Sequence, residues 1–126
     1  EKGNYFFYIQ CGPEQNEISK NIITNIKKQN CMDLSKMNIR EIIPILYLCD
    51  MYIGNDSFSH HVTSQCNKPS IVILLNSPKA YSDYSINHHR IIPDNAKIED
   101  LDHSSRYNAD SIKVEKVFNK IIQIRN

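Results

Sequence analysis

Apolar and polar positions along this chain switch between two periods. Residues 5–9, YFFYI, form an unbroken apolar run, the pattern of a parallel strand buried on both faces, and stop at the turn signal Cys11-Gly12-Pro13. From Glu14 the spacing lengthens: Ile18, Ile22, Ile23 and Ile26 make the stripe of a helix that closes in Lys27 and Lys28, cations suited to a helix C-terminus. Residues 31–34 read as a short second strand. Asn38, with Glu41 three residues later, is an N-cap signature opening a helix through Ile42, Ile43, Leu46 and Leu48, in which Pro44 must sit in the first turns or bend the axis. Residues 51–53 give a third, short strand, and residues 57–65 a helix that stops before Asn67-Lys68-Pro69. The clearest strand is SIVILL at 70–75, followed by a polar loop over 76–88 and a last short strand at 90–92. Residues 93–108 are polar and irregular. Val114, Val117, Phe118, Ile121 and Ile122 then share one face of a terminal helix over 112–124.

Strands and helices alternating at these lengths predict parallel βαβ units, a Rossmann-like α/β sheet covered by helices on both faces. The whole chain, 1–126, is expected to be one domain, with residues 5–9, 51–53 and 70–75 as neighbouring or near-neighbouring strands of one sheet. Ligands of such sheets sit beyond the carboxyl ends of the strands, at helix N-termini. Two turns fit: Gly12-Pro13-Glu14 and Gly54-Asn55-Asp56-Ser57, which are expected at the same sheet edge.

Composition narrows the partners. Fifteen Lys and Arg against fourteen Asp and Glu leave a formal charge of +1, which gives no footprint for nucleic acid or an acidic membrane. Cys11, Cys31, Cys49 and Cys66 are evenly spread without a C-x-x-C pair, the pattern of reduced thiols in a cytoplasmic protein. The most apolar stretch, 42–53, is interrupted by Pro44 and Asp50 and is shorter than the ~20 residues a membrane helix needs, which leaves peripheral attachment open.

The stretch YIGNDSFSHHV at 52–62 carries the candidate chemistry. A turn at Gly54 and Asn55 presents backbone N–H groups at a helix start, a place for phosphate; Ser57 adds a hydroxyl and His61, four residues on, an imidazole. Asp56 repels phosphate but can accept hydrogen bonds from sugar hydroxyls. The alternative is that Asp56 or Ser57 is merely an N-cap and His61 a satisfied helix residue. His60-His61 and His88-His89 lack zinc-ligand spacing, so no metal site is expected. Dinucleotide, P-loop and hydrolase-elbow motifs are absent from the sequence.

The order of these features resembles the C-terminal half of family-nine glycosyltransferases, the bacterial ADP-heptose:lipopolysaccharide heptosyltransferases. Gly12-Pro13-Glu14 looks like the family's Gly-Gly-Pro turn, and Asp33-Leu34 with Asn38-Ile39-Arg40-Glu41-Ile42 resembles its approach to the next helix. Gly54-Asn55-Asp56-Ser57 through His61-Val62, then Lys68-Pro69 and the SIVILL strand, resembles its G-N-D-T/S-G-x-x-H segment, and Ile112, Val114 and Val117 its closing helix. Phe58 stands where the family has Gly, Gln65-Cys66 replaces small alanines, and Asn76-Ser77-Pro78 replaces a Gly-Pro-Thr/Ser loop.

The resemblance implies the donor-binding portion of a GT-B enzyme, in which a nucleotide diphosphate sugar such as ADP-heptose is bound by Gly12, Glu14, Glu17, Gly54, Asn55, Asp56, Ser57, Phe58 and His61. Within that set Asp56 would take sugar hydroxyls, Ser57 and the following amides the diphosphate, His61 would support the turn, and Glu17 or Glu14 would reach the ribose or base. It implies inverting, metal-independent transfer to a lipopolysaccharide-type or lipid-linked glycan at the inner face of the inner membrane, without a cofactor. The acceptor site and catalytic carboxylate belong to the family's N-terminal domain, which these residues do not resemble, so the catalytic residues are unassigned and this stretch alone is expected not to turn over. Two alternatives follow: a degenerate nucleotide-sugar-binding or interaction module, in which Phe58 closes the phosphate site, and a folded fragment with no retained binding; an open sheet edge would also invite pairing with a second copy.

Overall fold

The computed structural model describes residues 5–12, 14–26 and 28–125; Pro13 and Lys27, together with the Lys28 side chain, lie outside the described residues, and with them part of the expected Gly12-Pro13-Glu14 turn and of the expected cationic helix end. The protein is a Rossmann-like α/β fold of parallel sheets and helices, as its alternating periods predict. It forms two compact units, Glu1–Ile43 and Pro44–Asn126. Its described strands pair as a two-stranded and a three-stranded sheet, where the sequence pattern led to the expectation of one.

In the first unit, β1 (Phe7–Ile9) pairs in parallel with β2 (Cys31–Asp33), Tyr8 lying opposite Met32. The connecting helix α1 spans Asn16–Asn25. The aromatic run at 5–9 is not buried on both faces: Tyr5, Phe6, Phe7 and Tyr8 are all exposed, and side chains two apart meet each other instead, Phe6 and Tyr8 edge-on at 5.3 Å. Alternation along a strand puts such pairs on one face. The isoleucine stripe of α1 is corrected as well. Ile18 and Ile22 are exposed, while Ser19 is buried, its hydroxyl donating to Asn16 O at 3.0 Å.

Helix α2 (Ile39–Leu48) begins where its N-cap signature placed it. Glu41 N–H donates to Asn38 Oδ1 at 3.2 Å and Asn38 N–H to Glu41 Oε2 at 2.8 Å, a reciprocal capping box. Pro44 lies inside the helix and leaves one rung of its ladder without a donor.

The second unit is built on β4 (Ser70–Ile73), which lies between β3 (Tyr52–Asn55) and β5 (His88–Ile91), all parallel. Ile71, Val72 and Leu74 are fully enclosed, as a central strand covered on both faces requires. Val72, Leu74 and Leu101 form a cluster against which Ile92, Ala96, Ile98 and Tyr107 pack, so the irregular segment after β5 closes this part of the core. Helix α3 (Phe58–Gln65) ends in a Schellman motif: Lys68 N–H donates to Thr63 O, Asn67 N–H to Ser64 O, and Asn67 holds the left-handed conformation at φ 57°. Helix α4 (Val114–Arg125) packs on β4 and β5 and is tied down by Lys116, whose ammonium donates to Ile92 O at 2.7 Å and to the Asp94 carboxylate at 2.6 Å. Of its apolar positions Val117 and Ile121 are half-buried, while Val114, Phe118 and Ile122 are exposed. No helix among the described residues is long and apolar enough to cross a membrane.

Candidate functional site

The β3–α3 turn brings Gly54, Asn55, Asp56, Ser57, Phe58 and His61 together at the carboxyl end of a parallel strand. Tyr52 and Gly54 lie on the same face of β3, two residues apart, and the Tyr52 ring folds back over the glycine. A Cβ at Gly54 would stand 2.5 Å from the Tyr52 hydroxyl. A side chain at Gly54 would therefore have to displace the Tyr52 ring, whereas the backbone angle there is ordinary. The Tyr52 hydroxyl donates to Asn55 O at 3.1 Å and lies 3.0 Å from Ser57 Oγ, bracing the turn from strand to helix.

Ser57 is the N-cap, with extended backbone, and forms a capping box with His60. Ser57 N–H donates to His60 Nδ1 at 3.0 Å, so that nitrogen carries a lone pair and the neutral ring holds its proton on Nε2. His60, which sequence reasoning did not assign to the turn, thus does the supporting that was expected of His61. Its signal was present as the fourth residue of S-x-x-H, where Glu or Gln usually stands. His61 lies beside His60, with ring centroids 3.7 Å apart and planes tilted by 39°, and hydrogen-bonds through Nδ1 to the Tyr84 hydroxyl.

Asp56 is largely enclosed and reaches both rings, its Oδ1 lying 3.4 Å from His60 Nδ1 and 3.5 Å from His61 Nε2. The first contact is not an ion pair at neutral pH. Burial pulls the His60 pKa down to about 4, helped by the neighbouring His61 and His88, and the opposing pull of Asp56 does not restore it. Burial likewise lowers the pKa of His88 and raises that of Tyr52. The turn therefore presents one carboxylate beside the neutral His60 ring at a helix start, a setting that can accept hydrogen bonds from hydroxyls while the first-turn amides can face an anion. Phe58, the first helical residue, is 39% exposed and does not plug the core.

Behind α3, Arg90 of β5 anchors the loop that supplies Tyr84. Its guanidinium donates to Ser82 Oγ at 2.8 Å, Ser82 O at 2.7 Å and the Asp83 carboxylate at 2.6 Å. His88 enters from the same strand, with its ring 5.0 Å from that of His60. Tyr52, Tyr84 and His88 were all missed in the sequence; the last two come from a segment more than 20 residues away.

Gly12, Glu14 and Glu17 belong to the first unit. There Gly12 closes a tight turn, accepting from Gln15 N–H at 2.9 Å and donating to the Gln15 side chain at 3.2 Å. Glu17 pairs with Lys20 at 2.9 Å on the exposed face of α1, and Glu14 is exposed. Such surface pairs are worth little to the fold.

Parallel strands feeding helices, with a polar turn at the carboxyl end of β3, define a Rossmann-like α/β protein. A family model, glycosyltransferase family 9 (heptosyltransferase), matches residues 1–108, and the chain belongs to that family. It is 30% identical over 89 residues to lipopolysaccharide heptosyltransferase 1 of Campylobacter coli, a match that covers 69% of this chain and 26% of that protein. The chain thus spans about a quarter of the length of this relative. No solved structure matches it.

Proposed function

We propose that the chain is the donor-binding portion of a GT-B glycosyltransferase. The donor is a nucleotide diphosphate sugar of the ADP-heptose kind and the acceptor a lipopolysaccharide-type glycan, handled at the cytoplasmic face of a bacterial membrane. The observation that carries this reading is Asp56: a largely enclosed carboxylate at a helix N-terminus, 3.4 Å from His60 Nδ1 and 3.5 Å from His61 Nε2. In the proposed site Asp56 accepts from sugar hydroxyls, and the first-turn amides of α3 meet the diphosphate and stabilise the negative charge of the leaving group.

A second reading has its own support. Ser57 is already satisfied within the turn, through Tyr52 and His60, and Phe58 occupies the position where a glycine would let phosphate approach. On that reading the module has kept the fold and lost the diphosphate.

Calorimetry with ADP and an ADP-sugar on wild type, Phe58→Gly and Asp56→Ala separates the two. The donor reading expects weak saturable binding, in the high micromolar range or about 6 kcal/mol at most. It expects tighter binding in Phe58→Gly, despite a cost of about 1 kcal/mol to the helix. It also expects Asp56→Ala to bind ADP as wild type does while losing preference for the sugar. Folded wild type and Phe58→Gly that both fail to saturate establish the second reading.

A further inference from the structure

His60, His61 and His88 each offer a ring nitrogen within 4.8 Å of the other two. Two of the rings are enclosed, His60 completely and His88 to all but 8%. His60 Nε2 and both nitrogens of His88 make no hydrogen bond of ordinary geometry, although the backbone of Tyr81 and of Ser82 lies close enough to favour the protonated rings. Buried polar groups are normally satisfied, and unpartnered nitrogens on two enclosed rings with a third imidazole beside them call for a ligand.

We propose that His60, His61 and His88 bind one divalent first-row transition ion of the imidazole-preferring class, with zinc foremost, and that Asp56 is the carboxylate behind the ligands. Three imidazoles form an open tetrahedral set, whose fourth position is left for water or an oxygen ligand. Zinc–nitrogen distances of about 2.0–2.1 Å place ligand nitrogens roughly 3.3 Å apart, so the cluster must draw in slightly. His61, with 39% of its side chain exposed, is the ring with room to do so.

One ligand atom is fixed by the hydrogen bonds. His60 Nδ1 accepts from Ser57 N–H, so the ion takes Nε2. A metal on Nε2 moves the ring proton to Nδ1, which can then only donate, and the Asp56 carboxylate at 3.4 Å is the acceptor at hand. This is the carboxylate–histidine–metal arrangement that orients ligating imidazoles. Spacing along the chain could not show it, because the third histidine comes from β5.

The proposal does not depend on the donor reading and is tested without nucleotide. Zinc is titrated calorimetrically into the tag-free, chelator-stripped full chain, and cobalt(II) into a second sample followed by visible absorption. The expected result is one ion per chain with the absorption of a tetrahedral cobalt site. His88→Gln should weaken binding by about 100-fold or more, Asp56→Asn by about 10- to 100-fold, and His89→Gln not at all. Should His88→Gln fail to fold, His61→Ala replaces it with the same expected loss. Long-range proton–nitrogen NMR of the wild type should show the His60 proton moving from Nε2 to Nδ1 on zinc addition. Absence of saturable binding, binding unchanged in the folded variants, or an unmoved His60 proton overturns the proposal.

Discussion

At the scale of single residues, the turn depends on a contact that spacing alone does not reveal. Gly54 and Asp56 were legible in the sequence as a turn glycine and a carboxylate at a helix start. That a side chain at Gly54 would have to displace the Tyr52 ring was not, since nothing in YIGND tells which way the tyrosine folds. Gly54→Ala should destabilise the chain by about 1–3 kcal/mol, the range for forcing atoms into filled space. The clash is with the far end of one side chain, so the cost should largely disappear in the Tyr52→Ala background. Urea midpoints of the two single variants and the double variant measure that coupling. Purely additive effects would mean that Gly54 is needed for some other reason. His60 was hidden in a similar way: as one of two adjacent histidines on a helix it read as surface, whereas its capping bond to Ser57 turns it inward.

At the scale of elements, the local signals that satisfy a backbone group at a helix end were the most readable. The Asn38–Glu41 capping box stands where the sequence placed it, and the stop of α3 at Asn67 has its cause in a left-handed residue ahead of Pro69. Asn38→Ala should therefore cost about 1 kcal/mol, with helix content by circular dichroism otherwise retained. A loss of only a few tenths would show that water serves the first turn of α2 equally well. Strand boundaries shifted by one to two residues: the third strand is Tyr52–Asn55 rather than 51–53, and the last His88–Ile91 rather than 90–92. These strands are short, and pairing across the sheet, not hydrophobicity, sets where they begin. Apolar periodicity misled wherever an apolar face stays exposed, as on β1, on α1 at Ile18 and Ile22, and on α4 at Val114, Phe118 and Ile122. Periodicity reports that a face is apolar; it does not report what covers it.

At the scale of the whole molecule, alternation of strand and helix was enough to give a parallel α/β fold, but not how the strands divide. Pairing registers depend on partners distant in sequence, and among the described residues these place β4 between two strands while β1 has β2 alone. The two sheets should therefore differ in stability. Residues of β4 combine hydrogen bonding on both sides with enclosed side chains at Ile71 and Val72, so their amides open only with loss of the core. Residues of β1 bond on one side and leave Phe7 and Tyr8 exposed, so little buried apolar area resists their opening. Native-state hydrogen exchange should show β4 amides protected roughly 100-fold or more beyond those of β1, with β1 and β2 opening together at lower free energy. Added denaturant should bring β4 into exchange only through global unfolding. Equal protection of β1 and β4 would mean instead that the 126 residues unfold as one cooperative body, in which exposure of the β1 aromatics carries no energetic consequence.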